Sequence, residues 1–208
     1  MIALVDYGAG NLTSVRKALS TLGAAFISPA SPADLSGARG VVVPGVGHFS
    51  ATRTLDAEWR RAIRAAVDRG APLLGICLGM QWLFTGSDEA PGLPGLGLLE
   101  GTCARLPDTN ALETTDGPAL LKVPHVGWNS LSIARPSSLT AGVTPDSQVY
   151  FTHSYIAPVT PATVAITTYG VPFAAALQVD RIAGVQFHPE KSGDVGLRIL
   201  RNWLGMVG

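Results

Sequence analysis

Apolar positions recur along the chain at two spacings, and the change from one to the other divides it. Met1–Asp6 opens as an apolar strand, and Gly8 and Gly10 begin the loop after it. From Leu12 to Leu22 the apolar positions are Leu12, Val15, Leu19 and Leu22, one face of a helix, with Gly23 placed to end it. Ala25–Ile27 and Gly40–Val43 read as further strands. Thr52–Arg69 carries Leu55, Trp59, Ile63 and Val67 at helical spacing and ends at Gly70. The apolar run Ala71–Ile76 reads as a buried strand leading into a helix over Met80–Phe84. Buried strands alternating with helices predict a mostly parallel sheet covered on both faces.

The second half is β-rich. Gly97–Leu106, Trp128–Ile133, Val149–Ile156, Thr163–Thr168 and Phe173–Val179 read as strands with no long helix between them. Asp180–Ala183 reads as a hairpin connection into a strand over Gly184–His188, and Val195–Leu204 closes the chain as a helix. Leu106–Leu120 is polar, without apolar periodicity, and is expected to be a surface loop. No repeat or linker interrupts the chain, so residues 1–208 are expected to form one domain.

Charge narrows the function classes. Fifteen Lys and Arg balance fifteen Asp and Glu, which gives no reason to expect nucleic acid or a membrane surface as partner. Two cysteines, Cys77 and Cys103, are too few for a disulfide framework and too far apart for a redox or zinc pair. No signal peptide and no bilayer-length apolar run is evident, so a cytoplasmic protein is expected.

Chemistry concentrates in three short stretches. In Gly75-Ile-Cys-Leu-Gly79 a cysteine stands at a strand-to-helix turn with small neighbours two residues to either side, the layout of a nucleophile elbow. A helix N-terminus presents free N–H groups, which favour a thiolate at Cys77. A buried, inert cysteine between packing glycines is the plainer alternative. In Gly184-Val-Gln-Phe-His-Pro-Glu190, residues two apart on an extended segment point the same way, which sets His188 beside Glu190. The carboxylate would then hold one ring nitrogen and leave the other to take the thiol proton. Alone, the tripeptide reads equally as a strand-end histidine before an ordinary turn. The third stretch is Pro44-Gly-Val-Gly47, a loop from which the Val46 N–H can join that of Leu78 to form an oxyanion hole. Its two glycines let the Val46 peptide turn in or out at little steric cost.

With Asp6–Leu12, Lys122–Asn129, Tyr150–Tyr155 and Gln186–Ser192, these stretches resemble the triad-type, class-I glutamine amidotransferases. More narrowly, they resemble the glutaminase subunits of imidazole glycerol phosphate synthase. The resemblance implies a flavodoxin-like α/β fold and hydrolysis of glutamine through a thioester on Cys77, with His188 and Glu190 completing the triad. It implies substrate contacts at Gly45, Gly47, Gln81, Glu89, Ser154 and Tyr155. Neither cofactor nor metal is expected. Ammonia protonates in water, so a glutaminase feeding a synthesis needs a shielded path to an acceptor enzyme. The implied partner is a (β/α)8-barrel cyclase in a heterodimer, with Asn11, Trp128, Tyr150 and Lys191 at the interface or its hinge. Rival readings are a glutaminase serving another synthase, a stand-alone cysteine hydrolase, and a non-enzymatic subunit on the same fold. Two residues depart from the family pattern. His48, expected with Phe49 to face solvent or partner, is a second histidine near the site, and Trp82 is bulkier than an aliphatic residue.

Overall fold

Side chains of the first half alternate between two cores, one on each face of a sheet. The computed structural model describes residues 1–10, 12–107, 111–114 and 117–208. It begins with β1 (Ile2–Leu4), α1 (Leu12–Thr21), β2 (Phe26–Ile27), β3 (Gly40–Gly45), α2 (Ala57–Asp68), β4 (Leu73–Cys77) and α3 (Leu78–Trp82). Side chains two apart on a strand share a face. Ile2, Leu4, Val42, Leu74 and Ile76 enter one core, while Ala3, Val41, Val43 and Leu73 enter the other. Leu12, Val15, Ala18 and Leu19 of α1 close the first core. Ile63 and Ala66 of α2, with Leu78, Met80 and Trp82 of α3, close the second.

There follow β5 (Gly86–Ser87), β6 (Thr102–Arg105), β7 (Ala111–Thr114), β8 (Gly117–Leu120), β9 (His125–Ser130), β10 (Ser132–Ile133) and β11 (Gln148–His153). The chain ends with β12 (Tyr155–Ile156), β13 (Thr163–Tyr169), β14 (Val171–Val179), β15 (Ile182–Val185) and α4 (Gly193–Val207). The main sheet runs β10-β13-β14-β15-β4-β3-β1-β2. Pairing is parallel from β2 to β15 and antiparallel from β15 outward to β10. The parallel part has the 2-1-3-4-5 order of flavodoxin-like folds. The expected fold class is therefore the observed one.

Several boundaries differ from expectation. The helix expected over Thr52–Arg69 is divided into a 3-10 turn, Phe49–Thr54, and α2. Asp56 causes the break, its carboxylate accepting the N–H groups of Glu58 and Trp59 at 2.9 and 3.1 Å as an N-cap. The strand expected over Gly97–Leu106 shrinks to β6, because Gly97 and Gly101 hold φ of 66° and 112°. Within the expected loop Leu106–Leu120, β7 and β8 pair antiparallel, Ala111 opposite Leu120; residues 108–110 and 115–116 lie outside the described residues. The last sheet strand stops at Val185 and does not extend to His188.

Candidate active site

Sheet register brings the three stretches together. Gly45, at the end of β3, pairs with Cys77 at the end of β4, and Ile76 pairs with Val185 of β15, three residues before His188. The carboxyl ends of parallel strands therefore meet at one crevice.

Cys77 has φ 53° and ψ −108°, a conformation that strains any residue with a side chain and that turns Sγ out of the sheet. The turn is tight. A Cβ on Gly75 would stand 2.6 Å from the Gly79 carbonyl oxygen, and one on Gly79 would overlap the carbonyl oxygen of Val43. Both obstacles are backbone, so neither can swing aside. Gly79→Ala is accordingly expected to lower stability by about 3 kcal/mol or more, read as a fall in thermal midpoint; an unchanged midpoint would show the elbow to be looser.

Beside the thiol, His188 leads into a 3-10 turn over Pro189–Lys191. That turn, and not strand alternation, carries Glu190 back, so that Nδ1 of His188 lies 2.7 Å from Oε1. Both side chains are almost completely buried. Nε2 is buried on the Cys77 side; it makes no bond of good geometry, yet the sulfur is near enough to act on it. Burial pushes the imidazole down, but the nearby Cys77 sulfur, together with the hydrogen bond to Glu190 and its negative charge, outweighs it, raising the ring to about 10.

Next to Sγ opens a cavity of about 290 Å³, lined by Gly47, Cys77, Leu78, Gln81, Glu89, Pro124, Thr152, His153, Ser154 and Tyr155. Glu89 is held at its mouth by Oε2, which accepts the Phe49 N–H at 2.7 Å. Gly45 and Val46 line instead a neighbouring hollow with His188, Glu190 and Lys191. Gly45 lies beneath the Tyr7 hydroxyl, which leaves no room for a Cβ there.

Residues 3–206 match the family profile described as glutamine amidotransferase class-I. The chain belongs to that family. It is 46% identical over 213 residues to imidazole glycerol phosphate synthase subunit HisH of Geobacillus kaustophilus, covering all of this chain and 97% of that one. With HisH of Methanothermobacter thermautotrophicus it shares 42% over 208 residues, covering 100% of this chain and 99% of the other. Its fold resembles a solved structure described as a glutamine amidotransferase, with TM-score 0.74 and 19% identity, all of both chains being covered. PurLQS from Thermotoga maritima matches with TM-score 0.72 and 15% identity, over 100% of this chain and 98% of that one.

In this amidotransferase the remaining histidines are of another kind than His188. Burial lowers His125 to about 4 and His153 to about 3, so both rings are neutral. His48 is exposed and accepts the Ser50 N–H at 3.1 Å, capping a turn away from the thiol. Phe49, expected at the surface, is fully buried in the second core. Trp82 is fully buried too, with the Arg60 guanidinium 5.5 Å from its ring centre.

Three of the four interface candidates in the amidotransferase form one cluster. Tyr150 lies opposite Trp128 across the β9–β11 pair, their rings 6.1 Å apart, and Lys191 Nζ is 5.7 Å from the Tyr150 ring. Trp128 is 57% exposed, too open for a core residue. Asn11 lies outside the described residues. The cluster is tied to the site: the His188 N–H donates to the Tyr150 carbonyl at 2.9 Å, and Ser192 Oγ bridges the two residues again. Sequence reasoning missed Pro124 and Thr152 in the cavity wall. It also gave no role to Gln186, although Gln186 opens one of the quoted stretches.

Proposed function

We propose that this chain is the glutaminase subunit of an imidazole glycerol phosphate synthase of histidine biosynthesis, with Cys77, His188 and Glu190 as its triad. One observation carries the reading: a strained cysteine at a helix start faces a buried imidazole that a carboxylate holds at 2.7 Å. The Cys77 thiolate attacks the side-chain carbonyl carbon of glutamine, and the electron pair of the C=O bond moves to oxygen. As the oxyanion collapses, the C–N bond breaks and His188 gives its proton to the departing nitrogen. A water then loses a proton to His188 and attacks the thioester; the C–S bond breaks, releasing glutamate and restoring the thiolate. Each oxyanion is met by the N–H group of Leu78 and, when its peptide faces the cavity, by that of Val46. Gly45, on the carbonyl side of that peptide, eases its rotation because it has no Cβ. Gln81, Glu89 and the backbone of Ser154 and Tyr155 bind the rest of glutamine.

Ammonia passes to a (β/α)8-barrel cyclase subunit, which makes imidazole glycerol phosphate and an aminoimidazole carboxamide ribonucleotide. That subunit docks on Trp128, Tyr150 and Lys191, and the bonds from Tyr150 to His188 carry its arrival to the catalytic base. Glutamate release is expected to rise at least about 100-fold when the cyclase and its nucleotide ligand are added, since one further oxyanion donor is worth about that much. Equal release with and without them would mean a free-standing hydrolase.

A further inference from the structure

Behind the thiol lies a pair of amides, Gln81 and Gln186, of which the proposed chemistry uses only the first. Gln81 donates from Nε2 to the Tyr155 carbonyl oxygen at 2.8 Å and to Oε1 of Gln186 at 3.1 Å. Gln186, fully buried, donates from its own Nε2 to Cys77 Sγ at 3.6 Å. The order of these bonds is fixed from one end. A backbone carbonyl only accepts, so Tyr155 must meet the NH2 end of Gln81; that NH2 group calls for an oxygen from Gln186, which leaves the NH2 end of Gln186 toward the sulfur.

We propose that Gln186 is a further catalytic residue, its amide N–H stabilising the Cys77 thiolate and its amide oxygen fixing Gln81 so that only an acceptor, Oε1, is offered to the cavity. This rests on Cys77 being the nucleophile. An N–H bond to sulfur strengthens as the sulfur gains charge, so it favours the thiolate over the thiol. The Thr152 carbonyl, 3.8 Å from Sγ, can only accept and so favours the thiol; Gln186 opposes it. With both hydrogens of its amide engaged, Gln81 meets a ligand through Oε1. That oxygen attracts the N–H groups of glutamine and repels the side-chain carboxylate of the glutamate product.

Iodoacetamide alkylation across a pH range, with peptide mapping to separate Cys77 from Cys103, reads the thiolate on the chain alone. In Gln186→Met, which removes donor and acceptor together, Cys77 is expected to react about three- to tenfold more slowly at neutral pH. The effect is smaller than the shift in ionisation because a more basic thiolate is the better nucleophile. The deficit should vanish at alkaline pH, where both proteins are ionised. Gln186→Glu, which still accepts from Gln81 but turns an oxygen on the sulfur, should show the same neutral-pH deficit and serves if the first variant does not fold. A profile within about twofold of the parent at every pH, or slowing that is uniform across pH, overturns the role of Gln186. Cys77→Ser in the complex with the cyclase tests the underlying reading separately: glutamate release that survives it removes the nucleophile itself, whatever the Gln186 profiles show.

Discussion

Cys77→Ala is expected to reduce glutamate release by at least about 10⁴-fold, because it removes the proposed nucleophile and leaves only binding and oxyanion stabilisation. Steady-state release by the complex with the proposed cyclase partner measures it, and a residual rate within about 100-fold of the parent would refute the assignment. The same position carries a second, opposite expectation. At φ 53° a side chain is strained by about 1–3 kcal/mol, which glycine does not suffer. Cys77→Gly should therefore be inactive yet melt higher, by about 2–12 °C for a chain of this size. A lower midpoint would mean that the packing of Sγ outweighs the strain.

Glu190→Gln is expected to lower kcat by about 10³–10⁴-fold with little change in KM, since an amide cannot fix the imidazole tautomer or match its positive charge. Its effect on His188 has a definite sign. Burial pushes the ring down, and the carboxylate is one of the groups that reverses this and brings it to about 10. Losing it should move the His188 titration, followed by NMR, downward. In the parent the ring's folded value lies above its ordinary value near 6.5. Its contribution to stability is therefore complete below about 6.5 and lost as pH rises through about 10. Glu190→Gln should flatten that fall in the unfolding free energy. An unchanged titration would show that Cys77 alone sustains the raised value.

The elbow was legible in the sequence because its requirement is local: two glycines at fixed offsets from a cysteine, between an apolar run and a helical one. The fold class was legible for a similar reason, as β1, β3 and β4 are almost wholly apolar. The pairing of His188 with Glu190 was foreseen, but through the wrong geometry. Pro189 fits an extended segment and the first position of a helical turn equally well, and only the turn is formed. Gln186 was illegible because its partners are remote, Gln81 being 105 residues away and joined to it only across the sheet. A buried amide satisfied by another amide leaves no periodic mark. The β7–β8 hairpin was missed because two strands that, among the described residues, pair only with each other need no apolar face toward a core.

The pairing of Gly45 with Cys77 also limits how the length of this chain can drift. One residue gained or lost inside β3 or β4 would slip the register and turn every following side chain to the opposite face, carrying the Val46 loop away from the thiol. Among the described residues the β7–β8 hairpin pairs with no other strand, so a change of length there would leave the crevice as it is. Insertions and deletions should accordingly accumulate around residues 106–120 and be barred from 40–45 and 73–79, whatever substitutions those short segments accept.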